Sequence, residues 1–383
     1  MGLGTQRGRL VLAASLAAGW AACLLSVGRG EIRSIRDHRD LTDHRFYRAV
    51  AARVGAGAGY YDVVAVELGR HGFPSGSPFN WRTPLYAHAL GRLGGTVADQ
   101  VALATLATIA AALAAGLAAR ELGTGAGLVA GLSVAVSSAW WGGPEPPCFT
   151  EAWAGLLILA AIAARGLGFV RAAVAAGALA LFLRELALPF VGLCLVESWA
   201  RRRARESAAW GACLLLYAAH LAGHIAAVAA HRVGPADVPA TDWVGRGGIG
   251  FVLATARMNY ALSLLPDWCA AIYLPLAIYG LVGLGRRLGS GGWTLIGMNG
   301  YLLAFTIVGR DFNWYWGWIT APTLALGAGV APFFLADSVR AVIASPPRRS
   351  RRRSSGSPPG RRWGRGRSAR GRSARRGGRA GPG

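Results

Sequence analysis

A chain of 383 residues with 53% hydrophobic and only 15% charged side chains is too apolar for two ordinary soluble domains. A soluble Ala-rich bundle is excluded as well, because most of its apolar runs lack a charged face. The formal charge of +23 is concentrated: 14 arginines fall between Arg348 and Arg379, in a Ser/Gly/Pro/Arg tail with little to bury.

Residues 1–9 carry Arg7 and Arg9 and read as a cytoplasmic N-terminus. The apolar run 10–27 is longer than a signal-peptide h-region and lacks a clear A-x-A site, so a retained helix is expected. A long first outer loop, 28–97, follows. In it Thr42 or Asp43 caps a helix whose Phe46, Val50 and Val54 recur at helical spacing. GAGAG (55–59) breaks that helix, and YYDVVAVELGRHG predicts a second, ended by Gly72, Pro74 and Gly76. Beside a membrane, such amphipathic helices are expected to lie in the interface with their apolar faces toward lipid.

Including 10–27, about ten apolar runs of near-spanning length follow from hydropathy and loop charge. The others lie near 98–118, 124–141, 152–165, 168–183, 186–200, 207–230, 264–284, 291–308 and 317–337. The fold class is therefore all-α and multi-pass, with a transmembrane domain over 10–340 and an Arg-rich, disordered cytoplasmic tail over 341–383. Arg120, Arg165, Arg171, the run Arg201–Arg202–Arg203–Arg205 and Arg286–Arg287 then fall in cytoplasmic connections with the tail, as the positive-inside rule requires. This orientation puts GGPEPPCFTE, LFLRELALPF and GRDFNWYWG on the outer face with the first loop. The expected location is a bacterial-type plasma membrane, with both termini cytoplasmic. Membrane lipids are the expected partners, with anionic headgroups available to the tail, and no nucleic acid is expected.

The five cysteines show no metal-type pairing and read as small core residues. His220, His224 and His231 fall near one face of the seventh run. A metal site, a proton relay and a phosphate contact are all chemically open to them. No acidic partner accompanies them within that run, so neutral imidazoles bonded to carbonyls are expected.

The pattern D-x-R-F-Y-R-A-V-A-x-R-V-x-x-G-x-G-Y-Y-D (43–62), followed by FNWRTPLYA (79–87), resembles the first outer loop of GT-C membrane glycosyltransferases. It is similar to the mannosyl- and arabinosyl-type transferases that use polyprenyl-phosphate sugars. FTEAWAGLL (149–157), FLRELALPF (182–190) and GRDFNWYWG (309–317) are weaker echoes. The resemblance implies a GT-C-like transferase moving a sugar from a polyprenyl-phosphate donor to a hydroxyl of a glycan, lipid or protein acceptor. It places the catalytic base, or an acceptor-orienting group, at Asp43, with Asp40 the alternative. Many relatives carry an Asp-Glu pair there, where this chain has Asp43-His44. Some relatives use a divalent metal, but the sequence offers no certain cofactor.

The chemistry fits these residue types. A base that takes the acceptor's proton contributes about 10²–10⁴-fold, and a single inverting displacement needs only one such carboxylate. The departing lipid phosphate needs preorganised cations, for which Arg82, Arg184 and Arg310 are candidates. Asp62, Glu151, Glu185 and Asp311 are expected to orient those arginines or hold sugar hydroxyls. Trp314, Tyr315 and Trp316 could stack on sugar or lipid. Each has a plainer role open to it: Asp43 and Glu151 as helix caps, Asp40 as a solvated charge, Tyr60–Asp62 as an interface anchor, Arg184–Glu185 as a local pair and the aromatics as an interfacial belt. Two other classes compete. A transporter or flippase for a lipid-linked or anionic solute would gather polar groups near the bilayer midplane. A scaffold of the same fold would lack the chemistry altogether.

Overall fold

The computed structural model describes residues 20–31, 42–143, 146–232, 245 and 247–343. Asp40, the N-terminal residues 1–19 and the arginine tail from 344 lie outside the described residues. What is described is all-α, with no strand among the described residues. The main helices are α1 (Thr42–Gly55), α2 (Tyr60–Arg70), α3 (Pro84–Leu93), α4 (Thr96–Leu122), α5 (Thr124–Ser137), α6 (Thr150–Leu167), α7 (Val170–Leu183), α8 (Leu188–Ala200), α9 (Ala204–His231), α10 (Gly248–Ala256), α11 (Trp268–Arg287), α12 (Gly292–Gly297), α13 (Asn299–Ile307) and α14 (Ala321–Ile343). A 3-10 segment, Asp311–Ile319, joins the last two.

Six of the described helices are long and apolar enough to cross a membrane: Thr96–Leu122, Thr124–Gly142, Thr150–Leu167, Ala204–His231, Trp268–Arg287 and Ala321–Arg340. Large apolar side chains point outward from five of them, including Val101, Leu128, Leu132, Leu215 and Leu216. A water-facing surface would not carry such a face, whereas lipid accepts it. The chain is an integral membrane protein built as a helical bundle. Three expected spans are shorter. Runs 168–183 and 186–200 become α7 and α8, of 14 and 13 residues, while 291–308 divides at Met298 into α12 and α13.

Helix α6 is the centre, with nearly every residue buried. It packs against α4, α7 and the 3-10 segment. Small residues make this possible. A Cβ on Gly155 would sit 2.1 Å from the Trp318 carbonyl oxygen, and one on Gly317 would sit 2.0 Å from that of Thr255. Backbone therefore rests directly on backbone, the contact that glycine permits between membrane helices.

The first loop corrects one expectation. α1 and α2 form where periodicity predicts them, but their apolar faces do not turn to lipid. Phe46, Val50 and Val54 meet Tyr60, Val63, Val64 and Leu68 in a separate small core, closed by Trp81 and by Val228 of α9. Burial against each other satisfies the same apolar faces.

Arg165 is a second correction. It is not a solvated loop cation but 1% exposed. Its Nη1 donates to Glu197 Oε2 at 2.7 Å and to Thr294 Oγ1 at 2.9 Å, and its Nε lies 2.5 Å from Glu206 Oε1. Glu197 also accepts the backbone N–H of Thr294 at 3.0 Å, satisfying an otherwise orphan donor of α12. Four helices are thus fastened at one end of the bundle. Substituting Gly155→Val should lower stability by about 3 kcal/mol, at the upper range for overpacking. Gly116→Ala, whose Cβ would meet only Leu167 at 3.7 Å, should be tolerated. Thermal unfolding in detergent separates the two.

Candidate functional site

The opposite end of the same helices holds a second ionic cluster. α7 stops because Arg184 turns extended (φ −150°, ψ 119°), and a 3-10 turn, Glu185–Ala187, leads into α8 with proline in its first turn. Beside this junction α6 begins with Thr150 and Glu151, where a helix N-terminus favours a carboxylate. Arg184 Nη2 lies 2.9 Å from Glu151 Oε1, and its Nη1 donates to Glu185 Oε1. Thr150 Oγ1 donates to Glu151 Oε2 at 3.1 Å. Glu185 Oε1 also lies 3.7 Å from Arg82 Nη1, so one carboxylate links both arginines.

Arg82 reaches this point through an unusual backbone. Its φ of 59° is a left-handed value that a residue with a side chain rarely adopts, at a cost of about 1–3 kcal/mol. The surroundings hold it there. Tyr60 Oη donates to the Trp81 carbonyl and lies 3.3 Å from that of Arg82. Trp81 Nε1 donates to Ser75 O at 2.9 Å, and Thr83 Oγ1 to Phe182 O at 2.7 Å. The strain therefore delivers the guanidinium to the Arg184–Glu185 junction. A small cleft lies beneath it, walled by Tyr47, Tyr60, Trp81 and Tyr86.

Arg82 Nε donates to Tyr47 Oη at 3.0 Å. The Tyr47 ring meets Phe149 edge-on at 6.0 Å, and Phe149 tilts against Tyr315 at 5.0 Å. Tyr315 Oη donates to Asn313 Oδ1 at 3.4 Å. Asp43, in the first turn of α1, lies one turn before Tyr47. Burial pushes the Tyr47 phenol up; the Arg82 charge opposes this and the Asp43 charge adds to it. Burial likewise raises Tyr315, with Arg82 opposing and Glu151 and Asp43 reinforcing. Burial works against the charge of Arg82, but its electrostatic interactions with Tyr47 and Tyr315, then with Glu151 and Glu185, outweigh that and hold its pKa well above the usual value. Both phenols are protonated donors at neutral pH, and Arg82 is a fixed cation.

The structure thus brings together Asp43, Arg82, Glu151, Arg184, Glu185 and Tyr315 from five separate stretches of chain. Three carboxylates against two arginines give a formal charge of −1, so an anion would be held by directed N–H donors and not by excess positive charge. Other expected residues stand apart. Asp62 is exposed and faces His231 Nε2 at 3.6 Å. Arg310 lies over the Phe312 ring at 5.5 Å, and Asp311 is exposed. Of the aromatics expected to form an interfacial belt, Tyr315 and Trp316 are buried in the core, whereas Trp314 is half-buried and Phe312 exposed.

The histidines anchor the loop. His224 Nε2 lies 3.1 Å from Pro78 O, which can only accept; Nδ1 therefore accepts from Tyr61 Oη at 3.0 Å. His231 stacks on Tyr61 and bonds Ala227 O at 2.7 Å through Nδ1. Among the described residues no three His, Cys, Asp or Glu side chains gather as a metal-ligating group.

Tyr47, Thr150 and Asn313 belong to the site but were not singled out from sequence. The signal was present: Tyr47 sits in the loop pattern itself, and Asn313 lies inside GRDFNWYWG. Comparison with protein-family models, curated proteins and solved structures finds no match to this chain. The buried pair makes a direct prediction. Glu151→Ala should cost ~3–5 kcal/mol by leaving Arg184 underpaired, and the double change Glu151→Leu/Arg184→Met should recover much of that loss. Thermal unfolding of the three variants in detergent measures both.

Proposed function

We propose that the protein is a GT-C-like membrane glycosyltransferase that moves a sugar from a polyprenyl-phosphate donor to an acceptor hydroxyl, with inversion. The observation that carries the reading is the gathering of Asp43, Arg82, Glu151, Arg184 and Tyr315 at one end of a membrane bundle. These residues lie within the very stretches that resemble the family. In this reading Asp43 takes the proton of the attacking hydroxyl. The C–O bond between sugar carbon and phosphate breaks as the new glycosidic bond forms, and the electron pair leaves with the phosphate. Arg82 donates to that phosphate, held ready by Glu185 and the strained turn beneath it. No step is routed through a metal. The acceptor is a sugar, lipid or protein hydroxyl reaching the outer face.

A transporter for a lipid-linked solute is the second reading. It is favoured by Tyr217 Oη and His220 Nε2, two polar atoms within α9 that are buried without a partner among the described residues.

Transfer of radiolabelled sugar from decaprenyl-phosphate donors, in membranes with matched amounts of protein, separates these. Wild type should transfer sugar, and Asp43→Asn should lose at least about a hundredfold, within the range for removing a general base. Equal transfer by both would remove Asp43 from the mechanism. If wild type moves the intact lipid-linked sugar across proteoliposomes without transfer, the transporter reading replaces this one.

A further inference from the structure

We propose that the turn between α8 and α9, with the start of α12 beside it, seats the headgroup of an anionic phospholipid. The proposal does not rest on the glycosyltransferase reading, because this turn lies at the other end of the bundle, beside the Arg165 clamp. α8 ends in a closed cap: the Arg202 N–H donates to Trp199 O and the Arg203 N–H to Ser198 O, both at 2.9 Å. Such a cap needs a left-handed residue at its turning point, the place glycine normally fills. Arg202 fills it instead, with φ 57°. Among the described residues only one other non-glycine residue has a positive φ, and that is Arg82 of the candidate site. This backbone is unfavourable for a residue with a side chain, so the strain points to a role for the guanidinium.

The neighbouring cations are already engaged. Arg201 Nε donates to Glu197 Oε1 at 3.0 Å, and its guanidinium lies 5.3 Å from the centre of the Trp293 ring. Arg203 Nη1 donates to Ser290 Oγ and lies 3.4 Å from Glu206 Oε2. These contacts tie the turn to the start of α12 and fix its shape. Arg202 and Arg205, by contrast, are exposed, and neither has a carboxylate partner among the described residues. Trp199 in the last turn of α8 and Trp293 in the first turn of α12 are 75% and 53% exposed. The turn leads directly into the spanning helix Ala204–His231, so it stands at a membrane surface. Tryptophan settles at the headgroup level of a bilayer, and the arginine fork binds two phosphate oxygens at once. Two unpaired arginines beside two exposed indoles therefore match a molecule that carries phosphate and acyl chains together. A free phosphate would use the arginines and leave the indoles in water.

The test is thermal unfolding of the purified, delipidated full chain in detergent with one addition at a time: phosphatidylglycerol, phosphatidylcholine or glycerol 3-phosphate. Every variant keeps the arginine tail, so a difference between variants reports the turn. Wild type should gain several degrees in Tm from phosphatidylglycerol at roughly a hundredfold excess over its Kd, and much less from the other two. Arg202→Gly suits the left-handed backbone, so it should match or exceed wild type without lipid yet lose most of the gain. Arg205→Gln should lose part of the gain, which gives a second reading at a position with ordinary helical backbone. An equal gain in wild type and both variants would place the lipid elsewhere and overturn the seat. An equal gain from phosphatidylcholine would overturn its selectivity for an anion, and an equal gain from glycerol 3-phosphate would overturn the lipid. No gain in wild type would overturn the proposal as well, leaving an acidic protein segment as the occupant.

Discussion

Burying an arginine side chain among apolar helices is the constraint on which this bundle turns. A guanidinium stays charged at any physiological pH, and at mid-membrane its insertion costs about 2.5–3.5 kcal/mol even on lenient scales. Among the described residues three arginines are almost fully buried: Arg257 faces Asp267 at 3.2 Å, and the other two are each met by two carboxylates. Arg165 is held by Glu197 and Glu206, and Arg184 by Glu151 and Glu185. Glu151 and Arg165 stand at opposite ends of α6. Fourteen residues separate them, or about 21 Å of helix. The apolar stretch between the two clusters is what remains to match the hydrocarbon.

The two clusters differ in kind. Around Arg165 the carboxylate oxygens are saturated by guanidinium, hydroxyl and backbone N–H donors, so that end works as a clamp joining α6, α8, α9 and α12. Around Arg184 the pairing is looser. Arg184 Nε, Glu151 Oε1 and Asn313 Nδ2 keep unused capacity, and the neighbouring Arg82 sits on a strained backbone. Unsatisfied polar atoms and strain tend to gather where a protein works, because both are unfavourable for folding alone. The same helices are locked at one end and poised at the other.

Much of this was legible from residue order. Long Ala/Leu/Val runs could only be membrane helices, and the period of Phe46, Val50 and Val54 marked α1 correctly. What α1 and α2 pack against was not legible, since an amphipathic face is equally well buried by lipid or by another helix. The division of 291–308 at Met298 was hidden for a similar reason: hydropathy reports burial, not straightness. Arg165 looked like a topological charge because Glu197 and Glu206 lie 32 and 41 residues away in sequence.

The sequence by itself determined the class of the protein: an all-α chain in a membrane, with several long apolar helices. Those features follow from local quantities, the length of an apolar run and the spacing of residues along a helix. Only the tertiary structure decided which of the connecting residues meet. It joined Arg82, Glu151, Arg184, Glu185 and Tyr315, sent Asp62 to His231 and left Asp311 exposed. The physical reason is that such contacts depend on the register between helices. Here that register is set by glycine-sized approaches such as Gly155 on Trp318 and by charges that must find partners wherever the chain carries them.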